Sequence, residues 1–237
     1  MKMIRVGIFG LGRFGTALVK TLNQHEDSRL QIHIRAVDKD PDRVDAVKNI
    51  CDDALIMDLE DEELLQSHIE NLDVIIITIG ENALPVLLLA HTAMEMIANQ
   101  NDGSFEKPRI MCRAHDGTTR KILRKFGVEE RDIFAPEDKA AERLARRLVH
   151  RNSVDSLPLK DDQAIIQITV PVEWIGKTLA ETKIRNRFQV NLLCLQRATE
   201  DENIISPDPD TEFHEADQLY LLGSIKNLEK ISAGEDS

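Results

Sequence analysis

Gly10, Gly12 and Gly15 follow the apolar run Ile4 to Phe9 in the string IRVGIFGLGRFG, and helix-forming sequence follows them. A strand end running into Gly-x-Gly-x-x-Gly is the arrangement that cradles a nucleotide's phosphates. Gly10 permits a tight turn, Gly12 lets phosphate oxygens approach the backbone, and Gly15 lets the helix pack closely on the strand. The helix N-terminus then offers unpaired N–H donors and a partial positive charge to an anion. Alone, such a triplet also serves as a plain strand-to-helix turn. What points to a nucleotide is the second apolar run, residues 32–37, ending in Asp38. A carboxylate there accepts hydrogen bonds from both ribose hydroxyls of an adenosine and repels a 2′-phosphate, which disfavours NADP. The polar loop 25–29 lengthens the glycine-to-acid spacing beyond the usual ~20 residues. Asp40 and Asp42, either side of Pro41, read as helix-capping residues.

Strands and helices alternate around these residues. The pattern predicts strands over 4–9, 32–37, 54–57, 74–79, 109–113 and 132–134, with helices near 14–23, 41–50, 60–68, 84–98 and 118–126. The run 74–79 is apolar on both faces, as a strand inside a helix-covered parallel sheet must be. The first half is therefore α/β, a Rossmann-like doubly wound parallel sheet with its ligand beyond the carboxyl ends of the strands. A helix from 138 to about 150 leads into a polar, proline-containing linker over 152–162. Beyond it lie strands over 164–170 and 190–196, a short helix over 178–184, a hairpin around 199–203, a strand over 219–222 and a terminal helix. The expected domains are 1–151 and 163–237, the second a small α+β unit that dimerisation would support.

Composition narrows the function. A formal charge of −12 over 237 residues argues against nucleic acid, whose phosphates need a basic face. The basic run Arg143, Arg146, Arg147, His150 and Arg151 has helical spacing and acidic neighbours, and reads as a solvated face or subunit contact. No apolar stretch approaches the ~20 residues that span a bilayer, and the N-terminus enters a strand directly, so a cytoplasmic protein is expected. Cys51, Cys112 and Cys194 are odd in number and far apart, which suggests idle thiols rather than a disulfide framework or zinc site. His115-Asp116 reads as a turn.

Further motifs extend the pattern: Gly-Leu-Gly-Arg-Phe-Gly at 10–15, Val37-Asp38, Asp58 after the third strand, Ile79-Gly80-Glu81-Asn82, Leu123 to Gly127, Pro136-Glu137, and then Val170 to Leu179 and Pro207 to Gly223. In order and spacing they resemble the RCK (regulator of potassium conductance) family, the cytosolic TrkA/KtrA-type subunits of potassium transport systems. The resemblance implies a cytoplasmic regulator peripheral to the inner face of the membrane. Homodimers would assemble into rings, commonly octameric, that dock on a potassium-translocating TrkH/KtrB-like subunit and change shape with the bound nucleotide. It places Gly10, Gly12, Arg13, Phe14, Gly15, Asp38, Asp58, Gly80, Arg113 and Glu137 at the nucleotide: Asp38 on the ribose, Asp58 near the adenine, Arg13 and Arg113 toward phosphates. Glu137 matches a carboxylate that helps hold Mg2+ or another cation. The segment Ile184 to Asn191 resembles the part that binds cyclic di-AMP in some relatives, with Arg185 and Asn191 on phosphate and base and Pro207 at the rim. Departures from the family pattern are Met57 and Leu59 flanking Asp58, and Gln189 and Ala216 where relatives tend to have glycine.

A nucleotide switches a ring only by binding its two shapes unequally, so a γ-phosphate must meet groups that a diphosphate does not. Arg13, planar and permanently charged, suits that role and favours ATP/ADP over NAD(H), which the same pocket could also admit. Two rival readings use the same fold: an NAD-dependent oxidoreductase, and the sensor ring of another transporter such as a cation/proton antiporter. The first lacks a histidine or lysine in a recognisable catalytic motif after residue 150.

Overall fold

The computed structural model describes residues 2–25, 30–59, 62–80, 82–99, 107–149, 153–198 and 203–233. The loop residues 26–29, Glu81, the end of the basic run at His150 and Arg151, and the turn residues 199–202 lie outside them. The chain divides into two compact units, Met1–Pro136 and Glu137–Ser237.

In the first unit six strands run parallel: β1 (Lys2–Phe9), β2 (Leu30–Asp38), β3 (Asp53–Ile56), β4 (Val74–Ile77), β5 (Arg109–Arg113) and β6 (Ile133–Phe134). Their order is β3-β2-β1-β4-β5-β6, so the sheet changes direction between β1 and β4, where an open α/β sheet forms its ligand crevice. The connecting helices are α1 (Arg13–Asn23), α2 (Pro41–Asp45), α3 (Glu62–Ile69), α4 (Ala83–Asn99) and α5 (Gly117–Lys125). Strand periodicity splits the consecutive isoleucines of β4 between two cores. Ile75 and Ile77 pack with Phe9, Leu65, Leu89 and Leu123, whereas Ile76 packs with Val6, Ile8, Val19 and Ile34. That is why β4 reads as unbroken apolar sequence.

Two elements of this unit end two or more residues short of the expected position. The helix predicted over 41–50 stops at Asp45, and the chain continues through tighter bonds, Val47 N to Val44 O at 3.1 Å and Ile50 N to Val47 O at 2.9 Å. The strand predicted over 74–79 stops at Ile77; Thr78 and Ile79 leave the β4–β5 ladder and face the glycine loop instead.

The helix α6 (Pro136–Val149) runs into the second unit, whereas the expected boundary at 151 groups it with the first. The second unit has an antiparallel sheet of β7 (Ser153–Pro158), β8 (Gln163–Thr169), β9 (Asn191–Gln196), β10 (Asn203–Ile205) and β11 (Gln218–Ser224), in the order β10-β9-β11-β8-β7. Alternate residues of β8 and β11 are buried and join Trp174, Phe188, Phe213, Leu228 and Ile231 in one core. The short helices α7 (Leu179–Thr182) and α8 (Ile184–Phe188) and the terminal α9 (Ile225–Ala233) complete it. β9 and β10 form the expected antiparallel pair, with Asn203 opposite Gln196.

The segment read as a linker is largely strand: β7 pairs antiparallel with β8. It is an edge strand, so one side needs no partner and no two-sided apolar pattern, and Pro158 sits at its end where a missing N–H is tolerated. The helix expected over 178–184 is broken at Lys183, whose φ of +50° ends α7 and begins α8. Thr178 and Glu181 form a capping box on α7, and this hydrogen bonding, led by the Thr178 backbone N–H, holds the Glu181 carboxyl below its ordinary pKa.

Candidate functional site

The parallel sheet delivers most of the predicted residues to one edge. Gly10 follows the last residue of β1, Asp38 ends β2, Asp58 lies two residues beyond β3, Gly80 three beyond β4, and Arg113 ends β5. All leave the carboxyl ends of neighbouring strands, around the β1/β4 change of direction.

Gly10 has φ +100°, and its N–H donates to Val37 O at 2.8 Å. A Cβ there would meet Ile79 Cγ1 at 2.9 Å and Ile79 N at 3.0 Å, so both conformation and space require glycine. Gly12 is the N-cap of α1, without a side-chain cap, and a Cβ on it would meet nothing within 4 Å. The first turn of α1 contains no acid, so its leading N–H groups are available to an anion. Gly15 is different: a Cβ would run into Gly10 O and lie 2.8 Å from Thr78 Oγ1. The three glycines therefore do the separate jobs expected of them, turning, leaving open space and packing.

Asp38 is only 5% exposed and already engaged. Its Oδ2 accepts from Leu11 N at 2.5 Å and its Oδ1 from Asp40 N at 2.9 Å. Arg43 spans two acids, with Nη1 3.7 Å from Asp38 Oδ2 and Nε 3.3 Å from Asp40 Oδ2. A carboxylate offers roughly four acceptor positions, so capacity remains for ribose hydroxyls. Asp40 caps α2 as expected, accepting from Asp42 N at 3.0 Å. Met57 N donates to Asp38 O at 3.0 Å, which brings the end of β3 beside Asp38 and leaves Asp58 exposed between the buried Met57 and Leu59.

Arg13, the first residue of α1, is exposed and makes no ion pair with any described acid. Phe14 stacks at a tilt on Phe134, ring centroids 5.4 Å apart, and thereby ties the start of α1 to the end of β6. Arg113 reaches back from β5, Nη1 donating to Thr78 O at 3.3 Å. Its guanidinium fills the space that a Cβ at Gly80 would need, so Gly80 makes room for an arginine.

Thr78 was missed by reading the sequence. It is 2% exposed, and its hydroxyl lies within hydrogen-bonding reach of Gly10 O and, at 3.1 Å, of Phe9 O. The available signal was a hydroxyl interrupting the isoleucine run at the end of a buried strand. Arg43 was missed as well; its spacing from Asp38 and Asp40 was the clue.

Several other predicted residues belong to the second unit. Glu137 is exposed on the first turn of α6 and belongs to the second unit. Arg185 on α8 and Asn191 at the start of β9 are exposed, but Pro207, expected at the rim of that patch, is buried. Gln189 and Ala216, the two departures noted in the sequence of this unit, both have positive φ, +54° and +65°. His115 and Asp116, read as a turn, form the bend before α5: Asp116 Oδ1 accepts from Thr119 N at 2.7 Å and caps that helix, a bond that leads in holding its carboxyl below the usual value, while its Oδ2 lies 2.9 Å from His115 Nε2. Burial pushes the Cys112 thiol up to about 12, which makes it inert. Among the described residues, no group of three or more His, Cys, Asp or Glu could hold a metal ion, and no helix is long and apolar enough to cross a membrane.

Comparison with known proteins is consistent across the chain. The family model of the TrkA-N domain matches residues 6–134, and that of the TrkA-C domain matches residues 164–233. The chain is 28% identical over 224 residues to Ktr system potassium uptake protein C of Bacillus subtilis (strain 168), covering 94% of this chain and 93% of that protein. It is 26% identical over 222 residues to Ktr system potassium uptake protein A of Vibrio alginolyticus, covering 93% of each. Among solved structures, the GsuK channel bound to NAD is 21% identical with a TM-score of 0.48; the match covers 97% of this chain and 38% of the channel.

Proposed function

This chain belongs to the TrkA-N family, and on that premise we propose that it is the regulatory subunit of a potassium transport system whose first unit reads an adenine nucleotide. It is a regulator and not an enzyme. The observation that carries the nucleotide reading is the meeting of Gly10–Gly15, Asp38, Asp58 and Arg113 at the crevice edge of the parallel sheet. The residues fit the ligand there. Gly12 opens on free space, the α1 N-terminus lacks a side-chain cap, and Asp38 keeps acceptor capacity for ribose.

ATP and ADP are the proposed pair. The exposed Arg13, uncommitted to any described acid, stands at the helix start where a terminal phosphate would end. NAD(H) is the second ligand this edge could take, since a dinucleotide uses the same loop and the same acid. Glu137 would contribute one oxygen to Mg2+ or a similar cation. Magnesium commonly takes one or two carboxylates and completes its shell with phosphate oxygens and water.

By this reading the protein works on the cytoplasmic face of the membrane, attached through a potassium-translocating subunit, as a homodimer assembled into a ring. The second unit would bind cyclic di-AMP, with the exposed Arg185 toward phosphate and Asn191 toward base. Calorimetric titration of the full chain with ATP, ADP, NADH and cyclic di-AMP, with and without magnesium, tests the set. Micromolar binding of ATP and ADP with little NADH is expected. Preference for NADH would replace the ATP/ADP assignment, and no heat with cyclic di-AMP would remove the second ligand.

A further inference from the structure

We propose that Thr78 is a positioning residue for nucleotide binding, holding the Gly10–Leu11 peptide in the one orientation that keeps the Leu11 N–H on Asp38. The inference rests on the nucleotide reading above and adds a residue that reading does not use.

A peptide unit is planar, with its N–H and C=O pointing opposite ways. In the Gly10–Leu11 unit the two ends are held by the two strands that flank β1. Leu11 N donates to Asp38 Oδ2 on β2 at 2.5 Å, and Gly10 O accepts from Thr78 Oγ1, just beyond β4. The Thr78 hydroxyl has a single proton. Of the two carbonyls within reach, Gly10 O is the nearer, whereas Phe9 O lies 3.1 Å away and is also served by Thr78 N at 2.9 Å, so the hydroxyl proton goes first to Gly10 O.

Outside anchors are needed because Gly10, with φ +100° and no Cβ, does little to resist rotation of the peptide that follows it. If the peptide turned over, its carbonyl oxygen would face the Asp38 carboxylate, and Asp38 would lose the Leu11 N–H that now holds it in place for a ribose. Both changes oppose nucleotide binding. Gly15 serves the same device: a Cβ there would press on Gly10 O and on Thr78 Oγ1, 2.8 Å away. Three separated parts of the chain thus converge on one peptide of the phosphate loop.

The test compares Thr78→Val, which keeps the shape and removes the hydroxyl, with Thr78→Ser, which keeps the hydroxyl. Each full-length variant is titrated with ADP and with adenosine, and Leu11 amide hydrogen exchange is followed without ligand. Thr78→Val is expected to lose roughly tenfold in affinity for ADP and for adenosine alike, the scale of one hydrogen bond, because both ligands use the ribose acid that the peptide holds. Leu11 exchange should quicken in Thr78→Val, and Thr78→Ser should restore both readings. Unchanged affinity for both ligands in Thr78→Val, a loss confined to ADP, or failure of Thr78→Ser to rescue overturns the proposal. If Thr78→Val lacks a cooperative melt, Thr78→Ala set against Thr78→Ser reads the same hydroxyl. A wild-type chain that binds no ADP removes the nucleotide reading, and Leu11 exchange alone then judges the clamp: the same rate with and without the hydroxyl overturns it.

Discussion

Gly10 in the first unit and Gln189 and Ala216 in the second all have positive φ, yet only the first position requires glycine. Gly10 lies at +100°, outside the small left-handed basin open to L-residues, and the Ile79 backbone leaves no room for a Cβ. Gln189 and Ala216, at +54° and +65°, sit inside that basin and are exposed, so a side chain is merely strained. The lesson is that positive φ becomes an absolute demand only when close backbone approach is added. The same contrast separates the two units more widely. The parallel unit brings its strand ends together at one edge, whereas the antiparallel unit spends its special residues on turns and on one buried ion pair.

That ion pair is the place to break the second unit. Arg197 Nη1 lies 2.6 Å from Asp217 Oδ2, and Asp217 also accepts from His214 N at 2.8 Å; its side chain is 1% exposed. Arg197→Met strands a buried carboxylate and should cost about 3–5 kcal/mol, read as a lowered urea midpoint. In the first unit the comparable pair, Arg109 with Asp132, joins a 53% exposed arginine to a carboxylate only 5% exposed, so Arg109→Met also strands a buried acid, but water reaches the arginine's side of the pair and the loss should be smaller. Equal losses would erase the distinction. Next comes Gly15→Ala, which forces a Cβ against Gly10 O; about 3 kcal/mol, the upper part of the overpacking range, is expected in the same assay.

Arg13→Ala acts on affinity instead of stability. It should lower ATP binding by roughly tenfold or more, as loss of a charge-assisted contact does, and leave ADP nearly unchanged. Equal losses for the two nucleotides would contradict a γ-phosphate role. The smallest effects belong to the exposed left-handed turns. Gln189→Gly and Ala216→Gly should each stabilise by about 0.5–1 kcal/mol, because relief of left-handed strain exceeds the extra entropy of glycine. The reverse change at Gly10, to alanine, should destabilise clearly; a neutral result there would break the comparison.

Much of the fold was legible because its signals are local. β1 with its glycines, Asp38 at the end of β2 and the unbroken isoleucines of β4 each state their role within a few residues. β7 was not legible, since an edge strand with one free side carries no obligatory pattern and Pro158 argues for a loop. The break at Lys183 was hidden for a related reason: Lys is an ordinary helix residue, and nothing in its type announces φ +50°. At the crevice edge, Gly10, Asp38, Asp58 and Arg113 were named from the sequence for their chemistry, but Thr78 and Arg43 were not. Their importance lies in partners distant along the chain, Gly10 for one and Asp38 for the other.

The sequence by itself determined a parallel α/β unit with a glycine-rich strand-to-helix turn, an acid at the end of its second strand and a second unit of different pattern. These follow from periodicity, glycine placement and residue type, which act over a few residues. Only the tertiary structure decided that Asp38 is buried and already holds the Leu11 N–H, that Arg113 occupies the space Gly80 vacates, and that Thr78 grips the other end of the same peptide. Those facts depend on β2, β1, β4 and β5 lying side by side, an arrangement set by long-range packing of the sheet on its two cores and invisible in any local stretch of the chain.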